Sequence, residues 1–236
     1  MRRFYDAVTV TEAAGGWQVL LDARPLRTQG GAPQVVPHAA LAEALAGEWQ
    51  AQGETIDPRG FLLRDLADLA IDRVRPARAE QIETLLRYGG TDTLCYRADP
   101  DEPLFRRQQA LWEPLVGACE ARLAARFERV SGILHRPQPA ETMARLRALL
   151  EGLDEYALAA LLVLVPLGAS LIVGLAALEA EANRAGLFAA ANAEEDWQAE
   201  LWGLEPGAAA SRAAREAAFV LAARFARLAA GEAEAG

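Results

Sequence analysis

Hydrophobic and polar positions alternate with period two over residues 4–10, and residues 17–21 form a short apolar run bounded by Gly15-Gly16 and Asp22. Alternation of this kind sends successive side chains to opposite faces of a pleated backbone, so both segments are read as β-strands. A further strand, turn and strand is expected over residues 24–28, 30–31 and 33–36, with prolines at positions that suit sheet edges or strand starts. The period lengthens at residues 37–52, where Leu41, Leu45 and Trp49 recur at i, i+4 and i+8 and define the buried face of a helix. Trp49 is therefore assigned a structural role in the core.

From about residue 62 onward helical spacing prevails, punctuated by prolines and glycines. Over residues 65–74, Leu66, Leu69, Ala70 and Val74 share one face while Asp68 and Asp72 lie on another. Residues 104–127 read as a long helix that accommodates Pro114 by kinking or restarting there. Residues 157–178 carry no charge over 22 positions, long enough to prompt a membrane argument. Pro166 and Gly168 break that run, acidic residues flank both ends and no arginine cluster sets an orientation, so two buried helices meeting at a Pro-Leu-Gly corner are expected instead. The predicted fold is α+β: a small N-terminal antiparallel β-sheet domain with a packed helix, residues 1–60, followed by a larger all-α domain, residues 61–236.

Composition removes whole classes of chemistry. The 236-residue chain has a formal charge of −9, and all 24 basic residues are arginine. Without lysine there is no Walker A phosphate loop, no Schiff base or pyridoxal phosphate linkage and no lysine general base. A pI near 4.9 argues against a nucleic-acid partner, whose phosphates demand a basic face. Cys95 and Cys119 stand in no CxxC spacing and read as reduced, buried thiols. The N-terminal residues pass straight into the first strand pattern without an apolar signal core, so no export or organelle signal is assigned.

Candidate catalytic groups are few. His38 and His135 have no partner pattern, HExxH is absent, and no metal site is assigned. The nearest approach to a nucleophile elbow is Gly168-Ala169-Ser170-Leu171-Ile172, where Ile172 replaces the final glycine, so Ser170 is read as a small residue between helices. Three Gly-Gly pairs lack the context of a phosphate-binding loop and are read as turns. Glu194-Glu195-Asp196 reads as a solvated helix face or helix start. Asp92, within Gly90-Thr91-Asp92-Thr93, is a structural carboxylate that caps a tight turn or pairs with Arg97; a small-molecule enzyme using Asp92, Tyr96 and Arg97 is the alternative. No catalytic, cofactor-binding or metal-binding residue is assigned. In the C-terminal helix, residues 211–230, Leu221, Phe225 and Leu228 form one stripe and Arg212, Arg215 and Arg227 the opposite face. Phe219 falls among those arginines, where it is either an interface anchor with Arg212 and Arg215 or a second buried contact with a neighbouring helix.

Several motifs recur in a recognisable order. They are Phe4-Tyr5, the run from Trp17 through Asp22 and Arg24-Pro25-Leu26 to Thr28, Glu48-Trp49, Leu66-Ala67-Asp68-Leu69-Ala70-Ile71-Asp72, Tyr88, Thr91-Asp92-Thr93-Leu94-Cys95-Tyr96-Arg97, Gln108, and Trp112-Glu113-Pro114-Leu115. This series resembles the assembly chaperone family of F-type ATP synthase that binds the free alpha subunit of the soluble catalytic sector. It is close over residues 4–115 and looser beyond, at Leu167-Gly168-Ala169-Ser170, Glu179, Trp197-Gln198 and Trp202-Gly203. The resemblance implies a sheet-containing N-terminal domain, a helical C-terminal domain, no catalytic activity, and cover for the alpha surface that later meets beta; no cofactor is expected. It also implies a functional glutamate after the Trp-Gly motif, for which Glu205 in Trp202-Gly203-Leu204-Glu205 is the equivalent, although Pro206-Gly207-Ala208-Ala209 lacks the aromatic and His-Asp residues that follow it in the family. The expected setting is the bacterial cytoplasm, or the mitochondrial matrix for a processed eukaryotic form, without stable membrane insertion.

Overall fold

β1 (Val8–Ala13) and β2 (Gly16–Leu21) form an antiparallel hairpin in the computed structural model, which describes residues 1–132, 136–203 and 205–232. The register sets Val8 opposite Leu21 and Val10 opposite Val19, which puts the apolar members of both strands on one face. α1 (Ala39–Gln50) packs on this hairpin and buries Leu41, Leu45 and Trp49, the face that the helical spacing predicts. β2 turns into β3 (Arg24–Pro25) through Asp22 and Ala23, both at positive φ (48° and 66°). That is the left-handed geometry a two-residue hairpin turn needs to match the sheet twist. β4 (Val35–Val36) also pairs with β2, at Trp17 and Gln18, so β2 is central and β1 is an edge strand.

This sheet belongs to the first of two compact units, made of Met1–Arg78, Glu155–Ala160 and Leu221–Gly236. Aromatic packing fixes its interior: the Trp49 ring lies 4.4 Å from Phe61 and 5.5 Å from Tyr5, and the Tyr5 hydroxyl donates to the Trp49 carbonyl at 2.7 Å. Glu48 closes one end of α2 (Leu62–Asp68), its carboxylate accepting from the Leu63 and Arg64 N–H groups at 2.6 and 2.9 Å. That satisfies donors a helix start leaves open. α2 continues into a π-helical turn, Leu69–Val74. Asp68 accepts from Gln29 N–H at 3.0 Å and Gln34 Nε2 at 2.6 Å, and Asp72 accepts from the Thr28 hydroxyl at 2.7 Å and Gly30 N–H at 2.8 Å. The two carboxylates of the Leu66–Asp72 motif thus tie down the loop that joins β3 to β4.

The second unit comprises Ala79–Asp154 and Leu161–Val220. Its helices are α3 (Arg78–Gly90), α4 (Pro103–Leu123), α5 (Ala140–Glu151), α6 (Glu155–Gly168), α7 (Leu171–Ala177), α8 (Arg184–Ala191), α9 (Ala193–Trp202) and α10 (Ala208–Ala229). The first residues of α6 and the last of α10 belong to the first unit. A two-stranded parallel ribbon joins β5 (Tyr96–Arg97) to β6 (Val130–Ser131). The architecture is the predicted α+β one, a small N-terminal antiparallel sheet followed by a mostly helical remainder.

α4 and α6 each contain a proline within the helix. α4 carries Pro114 in its interior as one continuous helix, without restarting. α6 likewise runs through Pro166 and ends at Gly168; the break before α7 falls at Ala169, at φ 46°, and at extended Ser170. Pro166 lies in the last turn of α6, so most of that helix forms ahead of it, whereas Pro114 sits mid-way along α4. No helix among the described residues is long and apolar enough to cross a membrane.

Candidate protein-binding surface

Asp92 is completely buried. One oxygen accepts from the Leu94 N–H at 3.1 Å, opening the 3-10 turn Thr93–Cys95, and the other accepts from the Ile172 N–H at 2.9 Å at the start of α7. Ser170 caps the same helix, its hydroxyl accepting from Val173 N–H at 3.1 Å. Thr93 adds a third tie by donating to the Ala169 carbonyl from its N–H and its hydroxyl, at 3.2 and 2.9 Å. A carboxylate at a helix start is favoured by the exposed N–H groups. Desolvation nevertheless outweighs these hydrogen bonds and pushes the Asp92 carboxyl up to about 6. The capping reading of Asp92 therefore holds, and the pairing with Arg97 does not.

Arg97, also buried, instead forms an ion pair with Glu113 at 2.8 Å and bonds to Gln109 and the Leu94 carbonyl. Glu113 is shared with Arg129, which also grips Glu120, and these guanidinium groups hold the Glu113 carboxyl below its ordinary range. Tyr96 sends its hydroxyl toward the Arg136 carbonyl at 3.4 Å. Asp92 is thus bonded to Leu94 and Ile172, Tyr96 to Arg136, and Arg97 to Leu94, Gln109 and Glu113. Gln108 bridges Ala98 N–H (2.8 Å) to Glu194 (2.6 Å), and the Trp112 indole donates to the Ala190 carbonyl at 2.7 Å. Cys95 and Cys119 are buried, and burial raises both thiols above their ordinary value. Among the described residues no group of His, Cys, Asp and Glu could hold a metal ion; His135 lies outside the described residues.

The arginine face of α10 is likewise engaged. Arg212 makes a two-pronged contact with Asp196 at 2.6 and 2.7 Å, and Arg215 holds Glu195 at 2.6 Å and Asn192 at 3.1 Å. The acidic run 194–196, read from sequence as a solvated face, supplies the carboxylates for both. Phe219 has no exposed surface and packs on Phe188 at 5.7 Å between ring centroids. Of its two readings the buried contact is the one present, because the ring fills the space between α8 and α10 and leaves nothing for a partner to touch.

The exposed apolar surface lies elsewhere. At the end of α9, Leu201 is 55% exposed and Trp202 78% exposed, ahead of Gly203 at φ 81°. Glu205 stands exposed just beyond; Leu204 lies outside the described residues. A second apolar feature is an open groove of about 400 Å³ between α4, α7 and α8, lined by Leu111, Leu115, Leu175 and Leu187. The Arg122–Glu179 ion pair, 3.1 Å long, lies at its rim. Sequence reasoning quoted Trp202 only as a motif member and missed the groove. The indole at the end of an otherwise acidic helix was the available signal; the groove, assembled from three helices, had none.

Carboxylates consumed in caps and arginine pairs, with apolar side chains left in solvent, make this an α+β scaffold suited to contact with another protein. Its residues 2–120 match the ATP12 chaperone protein family. The structure of Atp12 from Paracoccus denitrificans superposes with a TM-score of 0.92 at 41% identity, covering 97% of this chain and 98% of that one. The Atu1473 protein of Agrobacterium tumefaciens gives 0.88 at 37% identity, covering 95% and 84%. The mitochondrial atp12 protein of Schizosaccharomyces pombe is 28% identical over 214 residues, 86% of this chain and 74% of the relative. The chain belongs to the ATP12 chaperone protein family, a family of ATP synthase assembly chaperones.

Proposed function

We propose that this protein is a non-catalytic assembly chaperone that binds the free alpha subunit of F-type ATP synthase. It shields the alpha surface that later packs against beta, and so promotes assembly of the catalytic sector. The observation that carries the reading is the exposure of Trp202 beside Leu201, a large apolar pair left in water at the end of α9. Aromatic anchors of this kind dominate protein–protein binding energy. An orphan subunit of an obligate complex offers the matching surface, large and apolar, which aggregates if left uncovered. Glu205 supplies a charge at the margin of the contact, and Arg212 and Arg215 contribute a polar rim whose effect falls mainly on association rate and specificity. The setting is the bacterial cytoplasm, or the mitochondrial matrix for a processed eukaryotic form.

Co-expression with alpha and affinity capture tests the reading. Alpha should co-purify with the parent chain, and Trp202→Ala should weaken binding at least about tenfold with the melting temperature unchanged. Undiminished binding by Trp202→Ala removes Trp202 as the anchor; failure of the parent chain to retain alpha removes the proposed function.

A further inference from the structure

Among the described residues β1 pairs with one strand, β2, and its outer edge has no strand against it. Asp22 N–H donates to the Ala7 carbonyl at 3.0 Å, and on the far side of β2 Leu26 N–H donates to the Val19 carbonyl at 3.0 Å. Together with the register these two bonds fix the alternation: Thr9 and Thr11 bond toward β2, while Val8, Val10 and Glu12 direct their N–H and C=O groups away from the sheet. Among the described residues the one contact to these outward groups is a long one, 3.5 Å, from the Thr11 hydroxyl to the Glu12 carbonyl. The strand, Val-Thr-Val-Thr-Glu-Ala, has none of the usual blocking devices: no proline, no lysine and a single charge, Glu12.

We infer that β1 is a docking edge that receives an extended segment of the client polypeptide as an added strand, an inference that rests on the chaperone reading above. Three outward residues in alternate positions offer six backbone groups, enough to specify an extended chain rather than a helix. The side chains set the chemistry of that segment. Val8 and Val10 call for β-branched or other apolar residues opposite them, and Glu12 calls for an arginine, a lysine or a hydroxyl. A second copy of this chain fits less well, because pairing β1 with itself brings together two molecules of formal charge −9. Strand addition covers a client segment by its backbone and tolerates many sequences, which is the property a holding protein needs.

The test uses the full chain with purified free alpha subunit as the probe, and reads amide hydrogen exchange residue by residue together with the dissociation constant. The amides of Val8, Val10 and Glu12 should slow at least about tenfold on adding alpha, while those of Thr9 and Thr11, already bonded to β2, should change little. Val10→Pro removes one outward donor and none of the bonds to β2, as an edge strand allows, and should weaken alpha binding at least about tenfold; Val10→Thr should not. Alpha bound with unchanged β1 exchange overturns the strand proposal and leaves the chaperone reading standing. Alpha not bound at all overturns both. Concentration-dependent protection of the same amides without alpha, accompanied by dimerisation, assigns the edge to a second copy and also overturns the proposal.

Discussion

Asp92 joins the 3-10 turn after α3 to the start of α7 across 80 positions of sequence. Its carboxyl is raised from 3.8 to about 6, so the folded state takes up a proton at a pH where the unfolded chain does not. The sign follows: between pH 6 and 4 the folded state binds more protons, and the Asp92 contribution to stability grows as pH falls and is lost as pH rises through 6. Relative to Asp92→Asn, the parent protein should gain up to about 3 kcal/mol on going from pH 7 to pH 4. Denaturant titrations of both proteins across that range check this, and parallel curves would show that Asp92 does not titrate there. Ala23, at φ 66° in the β2–β3 turn, is a second local test. Ala23→Gly should stabilise by roughly 0.5–1 kcal/mol, because glycine adopts the left-handed region without a Cβ clash. Position by position, the sequence revealed that Asp92 was structural, since a carboxylate beside a tight turn has a short-range use. It did not reveal the partner, because the Ile172 N–H becomes available only when α7 begins beside it.

Elements were legible where periodicity is set by one buried face. The β1–β2 hairpin and α1 follow directly from alternation and from the Leu41, Leu45, Trp49 stripe, and that stripe is buried. Trp49→Arg should accordingly collapse the first unit's melting transition, because a charge would enter the Tyr5–Phe61 stack; an unchanged transition would place Trp49 outside the core. Pro166 falls inside α6 and the break follows at Ala169 and Ser170, since a proline late in a helix removes a bond without ending it. Gly174 of α7 lies close against α6. A Cβ on Gly174 would lie 2.7 Å from a Val165 methyl and 3.3 Å from a Leu161 methyl. Gly174→Ala should therefore destabilise by about 1–3 kcal/mol despite alanine's higher helix propensity, measured as a lowered denaturation midpoint. The groove between α4, α7 and α8 and the open edge of β1 could not be read from any one segment. A cavity depends on how several helices meet, and an open edge on which pairings are missing.

For the molecule as a whole, the absences in the sequence and the contacts in the structure point the same way. A chain without lysine could still have carried carboxylate chemistry, but Glu48, Asp68, Asp72, Asp92 and Glu120 are occupied in capping, loop fastening and arginine pairing. Leu201 and Trp202 leave apolar surface in solvent, the surface on which the proposed function rests. The ordered motifs were enough to place the chain in its family, whereas exposure had to come from the fold: the sequence left Phe219 as either an interface anchor or a buried contact, it is buried against Phe188, and only the folded chain shows which aromatics, Phe4 and Trp202, reach solvent. The most direct test of the central claim is light scattering from purified free alpha subunit at a temperature where it aggregates alone. Equimolar parent chain should suppress the scattering and Trp202→Ala should suppress it markedly less; scattering that rises equally with and without the parent chain would contradict the account.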